Sequence, residues 1–106
     1  MPTAYVTVPR DAAPDLARTL VEERLAACVN RLDCRSTYRW DGDVEAADEA
    51  VLLAKTTADA YPALERRIAQ LHPYDVPCIE RFEEAAVGDA FAAWRADAVD
   101  PGSTPE

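Results

Sequence analysis

The order of segments in this chain predicts an α+β fold: a ferredoxin-like β-α-β-β-α-β sandwich with a long central hairpin and a short C-terminal helix. Two stripes of helical period, at Leu16–Leu25 and Tyr61–Leu71, are each flanked by β-type runs. Between them the tripeptide Asp41-Gly42-Asp43 is the strongest hairpin signal in the chain. After the last β-type run, Phe91 and Trp94 lie three residues apart on a final helical segment.

The elements follow in order. Ala4–Val8 is a short run of β-formers ended by Pro9. Asp11 is suited to cap a helix and Pro14 fits its first turn. Leu16, Leu20, Val21 and Leu25 then share one helical face. From Ala27 the pattern becomes extended, with Val29, Ser36-Thr37-Tyr38 and Trp40 favouring strand. The return arm runs from about Val44 to Thr56 and has Val51-Leu52-Leu53-Ala54 as its buried part. The polar stretch Glu45–Glu49 makes its first half look solvent-facing or irregular. Thr57 or Asp59 is suited to cap a second helix, whose stripe is Tyr61, Leu64, Ile68 and Leu71. Pro73 ends that helix. Val76–Phe82 reads as the fourth strand and Asp89–Ala98 as the last helix, anchored by Phe91 and Trp94. Residues 1–99 form a single domain, and 100–106, with Pro101, Gly102 and Pro105, form a frayed tail.

A chain of 106 residues is one domain of ordinary size. It has no run of about 18 apolar residues and no basic segment leading into an apolar one. A cytoplasmic location is the expectation. The three cysteines, Cys28, Cys34 and Cys78, cannot all pair within one chain and form no CxxC motif, so reduced thiols are expected.

The net charge is −9, from twenty acids against ten arginines and one lysine. Such an acidic, lysine-poor surface reads as a haloarchaeal type of adaptation to high salt, with a mesophilic acidic protein as the alternative. It argues against nucleic acid as a partner, because a phosphate backbone needs a basic stripe. It also argues against an anionic membrane surface.

The hairpin arms are long for so small a protein, roughly ten residues or more each against a typical strand of about 5–6. They overshoot a four-stranded sheet, and their open edges must be covered or paired. Pairing with another copy of the chain is the simplest solution. Tyr38 and Trp40 are then interface anchors; the alternative is that they cap the protomer's own core.

Three segments, LVEERLAACVN (20–30), LLAKTT (52–57) and LHPYDVP (71–77), stand in an order and spacing that resemble the CutA family of divalent-cation tolerance proteins. The resemblance extends from Tyr5 to Trp94. It implies a homotrimer built by intersubunit sheet extension and a divalent cation, copper foremost, as ligand. Cys28 stands in AACVN, where the family also has cysteine, and His72 stands at the histidine of the family's LHPY motif. Asp75 keeps, on a shorter arm, a carboxylate where the family has glutamate. At Cys78 the family glutamate is replaced by a thiol, with Glu80 two residues on able to share its strand face. The stretch Arg31–Ser36 is one residue short of the family norm, and Asp33 stands near the family's proline.

The candidate metal ligands are therefore His72, Cys28 and Cys78. His72, the only histidine, offers an imidazole to copper or zinc. Its position at a helix C-terminus equally suits a cationic cap. The thiols are soft ligands, or small apolar residues in a core. Cys34 reads as incidental. Lys55, the one lysine, fits a compact anion contact in an intersubunit cleft or a plain ion pair at a strand end. The acidic pairs Asp48-Glu49 and Glu83-Glu84 are what a chain with twenty acids contains in any case.

No MxCxxC loop, GxxxxGK[ST] or GxGxxG motif occurs. Arg10 after the first strand lacks the glycine loop of an acylphosphatase. The expected function is a non-catalytic cation-binding or cation-response protein. The alternative is a PII-like signalling trimer in which Lys55, Tyr74 and arginines bind a small anion between subunits. A hydrolase or isomerase using Asp75 or Glu80 is a third, weaker reading.

Overall fold

The computed structural model describes residues 1–100. Strand β1 (Pro2–Pro9) passes through a 3₁₀ turn (Arg10–Ala12) into helix α1 (Ala13–Glu22). Strands β2 (Cys28–Trp40) and β3 (Asp43–Lys55) form the central hairpin. Helix α2 (Tyr61–Leu71), strand β4 (Cys78–Glu83) and helix α3 (Asp89–Ala98) complete the chain. The order of elements and the ferredoxin-like β-α-β-β-α-β class are those the sequence predicts. The sheet is antiparallel throughout, in the order β2-β3-β1-β4. Apart from Asp100, the expected tail lies outside the described residues.

Strand alternation decides which side of the sheet is covered. Ala4, Val6 and Val8 of β1 stand in register with Ala54, Leu52 and Ala50 of β3, and all six are buried. Helices α1 and α2 close over them with Ala13, Leu16, Leu20, Tyr61, Leu64 and Ile68. Two expected members of the helical stripes fall outside this core. Val21 lies one residue, about 100° of helix, beyond Leu20 and is exposed. Leu71 is in the last position of α2 and is exposed too.

The helix starts also differ from expectation. Asp11 lies in the 3₁₀ turn and caps nothing; α1 begins after Ala12, with Pro14 in its first turn. At α2 the Ala60 N–H donates to Thr57 Oγ1 at 3.2 Å, so Thr57 and not Asp59 satisfies the leading turn. Helix α1 stops in a Schellman motif: Leu25 N–H donates to Leu20 O and Arg24 N–H to Val21 O, both at 3.0 Å. Arg24 occupies the left-handed position (φ 60°) that usually falls to glycine. Its guanidinium donates to the carbonyls of Asp97 and Ala98 at 3.0 and 3.2 Å, closing the C-terminus of α3.

The hairpin is one uninterrupted ladder from Cys28–Lys55 to Trp40–Asp43. Asp41 and Gly42, at φ 52° and 84°, make the two-residue type I′ turn that the sequence announces. The stretch Glu45–Glu49 is regular strand, largely solvent-facing as expected through Asp48 and buried at Glu49. Only Glu49–Lys55 of β3 also pairs with β1, so residues 43–48 extend past the sheet as a two-stranded ribbon.

Helix α3 packs by a different residue than predicted. Phe91 and Trp94 pack on each other (5.6 Å between ring centroids) and remain exposed. The buried residue is Arg95, which donates to Glu84 Oε1 at 3.0 Å and to the carbonyls of Pro2 and Thr56 at 3.3 and 3.4 Å. The end of the sheet presents carbonyls there, and a buried carbonyl needs a donor more than an apolar neighbour.

Candidate functional site

The site is built from the segment that ends α2. A residue preceding proline is driven out of helical geometry, and His72 duly leaves α2 with φ −71° and ψ 134°. This turns its ring under β1. There Nε2 bonds the Thr7 carbonyl at 2.8 Å, and Nδ1 accepts from the Tyr74 N–H at 3.1 Å. An acceptor Nδ1 leaves the ring proton on Nε2, which donates to Thr7. The imidazole is thus a bridge between β1 and the 73–77 loop, and not a charged cap along the axis of α2.

Pinned in this way, the loop throws Tyr74 toward β3. The Tyr74 hydroxyl donates to Glu49 Oε2 at 3.1 Å. Glu49 projects from the sheet side that bears no helix, yet it is 4 % exposed, because Tyr74 and the hairpin close around it. Burial, then the charge of Glu49 and the bond to it, push the Tyr74 phenol up from its ordinary 10.0 to about 12; Tyr38 and Asp11 add to the rise. Tyr74 is therefore a proton donor at any ordinary pH.

Between this loop and the hairpin lies a groove of about 610 Å³. Tyr38 and Trp40 form its hairpin wall, Glu49 its floor, and Tyr74, Asp75 and Cys78 its loop wall. Among the described residues no lysine or arginine lines it. Cys78, half-buried, opens β4 with its thiol 3.7 Å from Glu80 Oε1. A second hollow of about 440 Å³ lies between Arg10, Pro14, Arg31 and Asp33. Its Arg10 is already engaged, by Asp33 at 3.5 Å and by the carbonyls of Cys34 and Glu49 at 3.0 and 3.4 Å.

The three expected metal ligands do not converge. Cys78 stands in register with Thr7, whose carbonyl holds His72, so these two share one end of the sheet. Cys28 stands in register with Lys55, and Lys55 with Thr3, at the other end. The two thiols are four residues apart along the strands and three strands apart across them, roughly 13 Å and 14 Å. Among the described residues no three histidine, cysteine, aspartate or glutamate side chains gather as a metal cluster. Lys55 lies six residues along β3 from Glu49, so it does not share the groove with Tyr74.

Glu49 is the residue that sequence reasoning missed. In an acidic chain it looked like one of a generic pair. Its signal is register: stepping back by twos from Lys55 through Leu53 and Val51 puts Glu49 on the helix-free side, opposite Cys34.

Comparison with known proteins bears on what this groove belongs to. The family model described as CutA1 divalent ion tolerance protein matches residues 3–98. The chain belongs to the CutA1 family. It is 45 % identical over 91 residues to the divalent-cation tolerance protein CutA of Thermus thermophilus, covering 84 % of this chain and 88 % of that one. The crystal structure of CutA1 from Pyrococcus horikoshii superposes with a TM-score of 0.91 at 35 % identity, covering 94 % of this chain and 99 % of that chain. The PII-like protein CutA from Nostoc sp. PCC 7120 gives the same TM-score at 30 % identity, covering 94 % and 98 %. The CutA1 fold and the PII-like fold are thus one architecture here, and the ligand reading turns on the groove's chemistry.

Proposed function

We propose that this CutA1 protein is a non-catalytic homotrimer that binds and responds to a divalent cation, copper foremost. The observation that carries the reading is the groove's charge: two carboxylates and a thiol line it, and no cationic side chain does. A divalent ion is attracted to such walls, and a thiol selects a thiophilic one. One protomer offers too few donors for a full coordination sphere, so ligation draws on Cys78 with Glu80, and on neighbouring chains. His72 joins only by giving up its bond to the Tyr74 N–H or to the Thr7 carbonyl. Cys28 acts, if at all, at the other end of the sheet.

The overshooting ribbon supports assembly with further copies of the chain. Residues 43–48 of β3 have only β2 beside them, and a two-stranded ribbon is marginal alone. Another copy adding its strands would complete it.

Copper titration by calorimetry, on the wild type and on Cys78→Ser, Cys28→Ser and His72→Ala, tests the assignment. Cys78→Ser is expected to weaken binding tenfold or more, with sedimentation giving a trimer mass. Equal copper affinity in all four proteins would reject the groove as the metal site. The PII-like alternative, a small anion held by Lys55, Tyr74 and arginines, is disfavoured by the acidic walls. A large thermal shift with nucleotides and none with metals would restore it.

A further inference from the structure

Glu49 is an anomaly in charge accounting. Its carboxylate is buried, and Tyr74 supplies its one side-chain hydrogen bond. Among the described residues no arginine, lysine or histidine nitrogen lies within 4.0 Å of it. Asp48 next door, by contrast, has the Arg35 guanidinium beside it at 2.6 Å. A buried carboxylate without a counter-charge is costly, and a cation that enters its site recovers part of that cost.

The walls around Glu49 have the chemistry of a particular cation. In the single protomer Tyr38, Trp40 and Tyr74 open onto the groove with 40 %, 54 % and 39 % of their surface free. Aromatic faces attract weakly hydrated cations and offer no lone-pair donors to a metal ion. A bare metal ion needs several oxygen, nitrogen or sulfur atoms at about 2.0–2.6 Å, a set this part of the groove lacks. The volume, about 610 Å³, lies within the range of small-molecule sites.

We infer that the groove between the hairpin and the 73–77 loop takes a small organic cation, a quaternary or alkyl-substituted ammonium, with Glu49 as counter-ion and Trp40, Tyr38 and Tyr74 as its aromatic walls. This rests on the groove being the ligand site proposed above and names a second class of ligand for it. Asp75 adds a second negative charge at the loop wall. The buried Tyr74–Glu49 bond holds the carboxylate in place, so the site is preorganised and ordering it costs little on binding.

The probe is tetramethylammonium, with choline against its uncharged isostere 3,3-dimethylbutanol as the control for charge. The protein has two tryptophans, so a Trp94→Phe background makes Trp40 the reporter. Calorimetry and Trp40 fluorescence are read on the assembled protein. The expected result is saturable binding, at least tenfold weaker for the uncharged isostere, and lost tenfold or more in Glu49→Gln. Trp40→Leu, exposed in the single protomer, is expected to weaken binding similarly by calorimetry with the oligomer mass unchanged. Equal binding of the isostere, or undiminished binding in both variants, overturns the inference. So does Glu49→Gln shifting the oligomer mass, because a neighbouring chain is then the counter-charge. Copper binding without tetramethylammonium binding sinks this inference alone, while absence of both sinks the groove as a ligand site.

Discussion

The two sides of the sheet share their strands and differ in almost everything else. On the helix-covered side, Ala4, Val6, Val8, Ala50, Leu52 and Ala54 are sealed by α1 and α2. On the other side the intervening residues carry Tyr5, Leu32, Val51, Leu53, Cys78 and Phe82, with no helix over them. Tyr5 and Phe82 stack on each other, ring centroids 5.4 Å apart, and Phe82 stays 48 % exposed. The covered side is finished within the protomer. The open side mixes these apolar residues with Thr3, Thr7, Asn30, Lys55 and Glu80 and is unsealed in the protomer, and it is the side where Glu49, the groove and all three cysteines are found. The candidate site thus lies where the protomer leaves burial incomplete.

The sharpest way to break this comparison is a matched pair of truncations. Leu52→Ala, at a fully buried position, is expected to cost about 3 kcal/mol in urea unfolding. Leu32→Ala, 52 % exposed in the protomer, would cost under about 0.5 kcal/mol if the open side stayed bare. Under the trimer proposal it costs about 1–2 kcal/mol instead, and the midpoint rises with protein concentration. A concentration-independent midpoint would remove the covering copy.

Arg95 tests the far end of the sheet. Arg95→Ala is expected to cost about 3 kcal/mol, since it leaves Glu84 without its cation and takes one donor from each of the Pro2 and Thr56 carbonyls. For Glu84, burial raises the carboxyl, but bonds from Thr3, its own backbone and Arg95 together hold it below its ordinary 4.5. A depressed carboxyl contributes stability that is present above its unfolded value and lost as pH falls through the folded one. Wild-type stability should therefore fall on acidification below about pH 4.5, and Arg95→Ala should flatten that fall.

The order of elements was legible because helical and strand periods survive in so short a chain, and because Asp41-Gly42 fits few turns other than type I′. Long-range contacts were not legible. Phe91 and Trp94 have the spacing of anchors, but α3 meets the sheet where carbonyls protrude, so Arg95 is buried in their place. The groove joins Tyr38 to Tyr74 and Glu49 to Cys78, residues distant in the chain that only the register of β2, β3 and β1 brings together. His72 was visible as the only imidazole, but its two partners, Thr7 O and Tyr74 N–H, are backbone atoms, which residue types do not reveal.

His72 sharpens the line between architecture and ligation. His72→Ala in metal-free buffer is expected to lower stability by about 2 kcal/mol, because the Thr7 carbonyl and the Tyr74 N–H both lose a partner. The loss should persist in the presence of a chelator. If stability fell only when copper was supplied to the wild type, the ring would be a ligand first and a bridge second.

The smallest expected effect is at Tyr74, and its sign separates the groove's polar floor from the open apolar sheet around it. Burial and the Glu49 charge raise the phenol to about 12 from 10.0, so the folded chain keeps this proton where the unfolded chain has lost it. Between those values the folded state binds more protons, and stability must fall as pH rises from about 10 to about 12. Tyr5 and Tyr61, also raised chiefly by burial, contribute to the same slope. Tyr74→Phe should make the alkaline decline shallower without abolishing it. At neutral pH the same change removes the hydroxyl that bonds Glu49 and should cost about 1 kcal/mol. An unchanged alkaline slope in Tyr74→Phe, measured by urea unfolding at successive pH values, would mean that the phenol is solvated and that the floor of the groove is open to water.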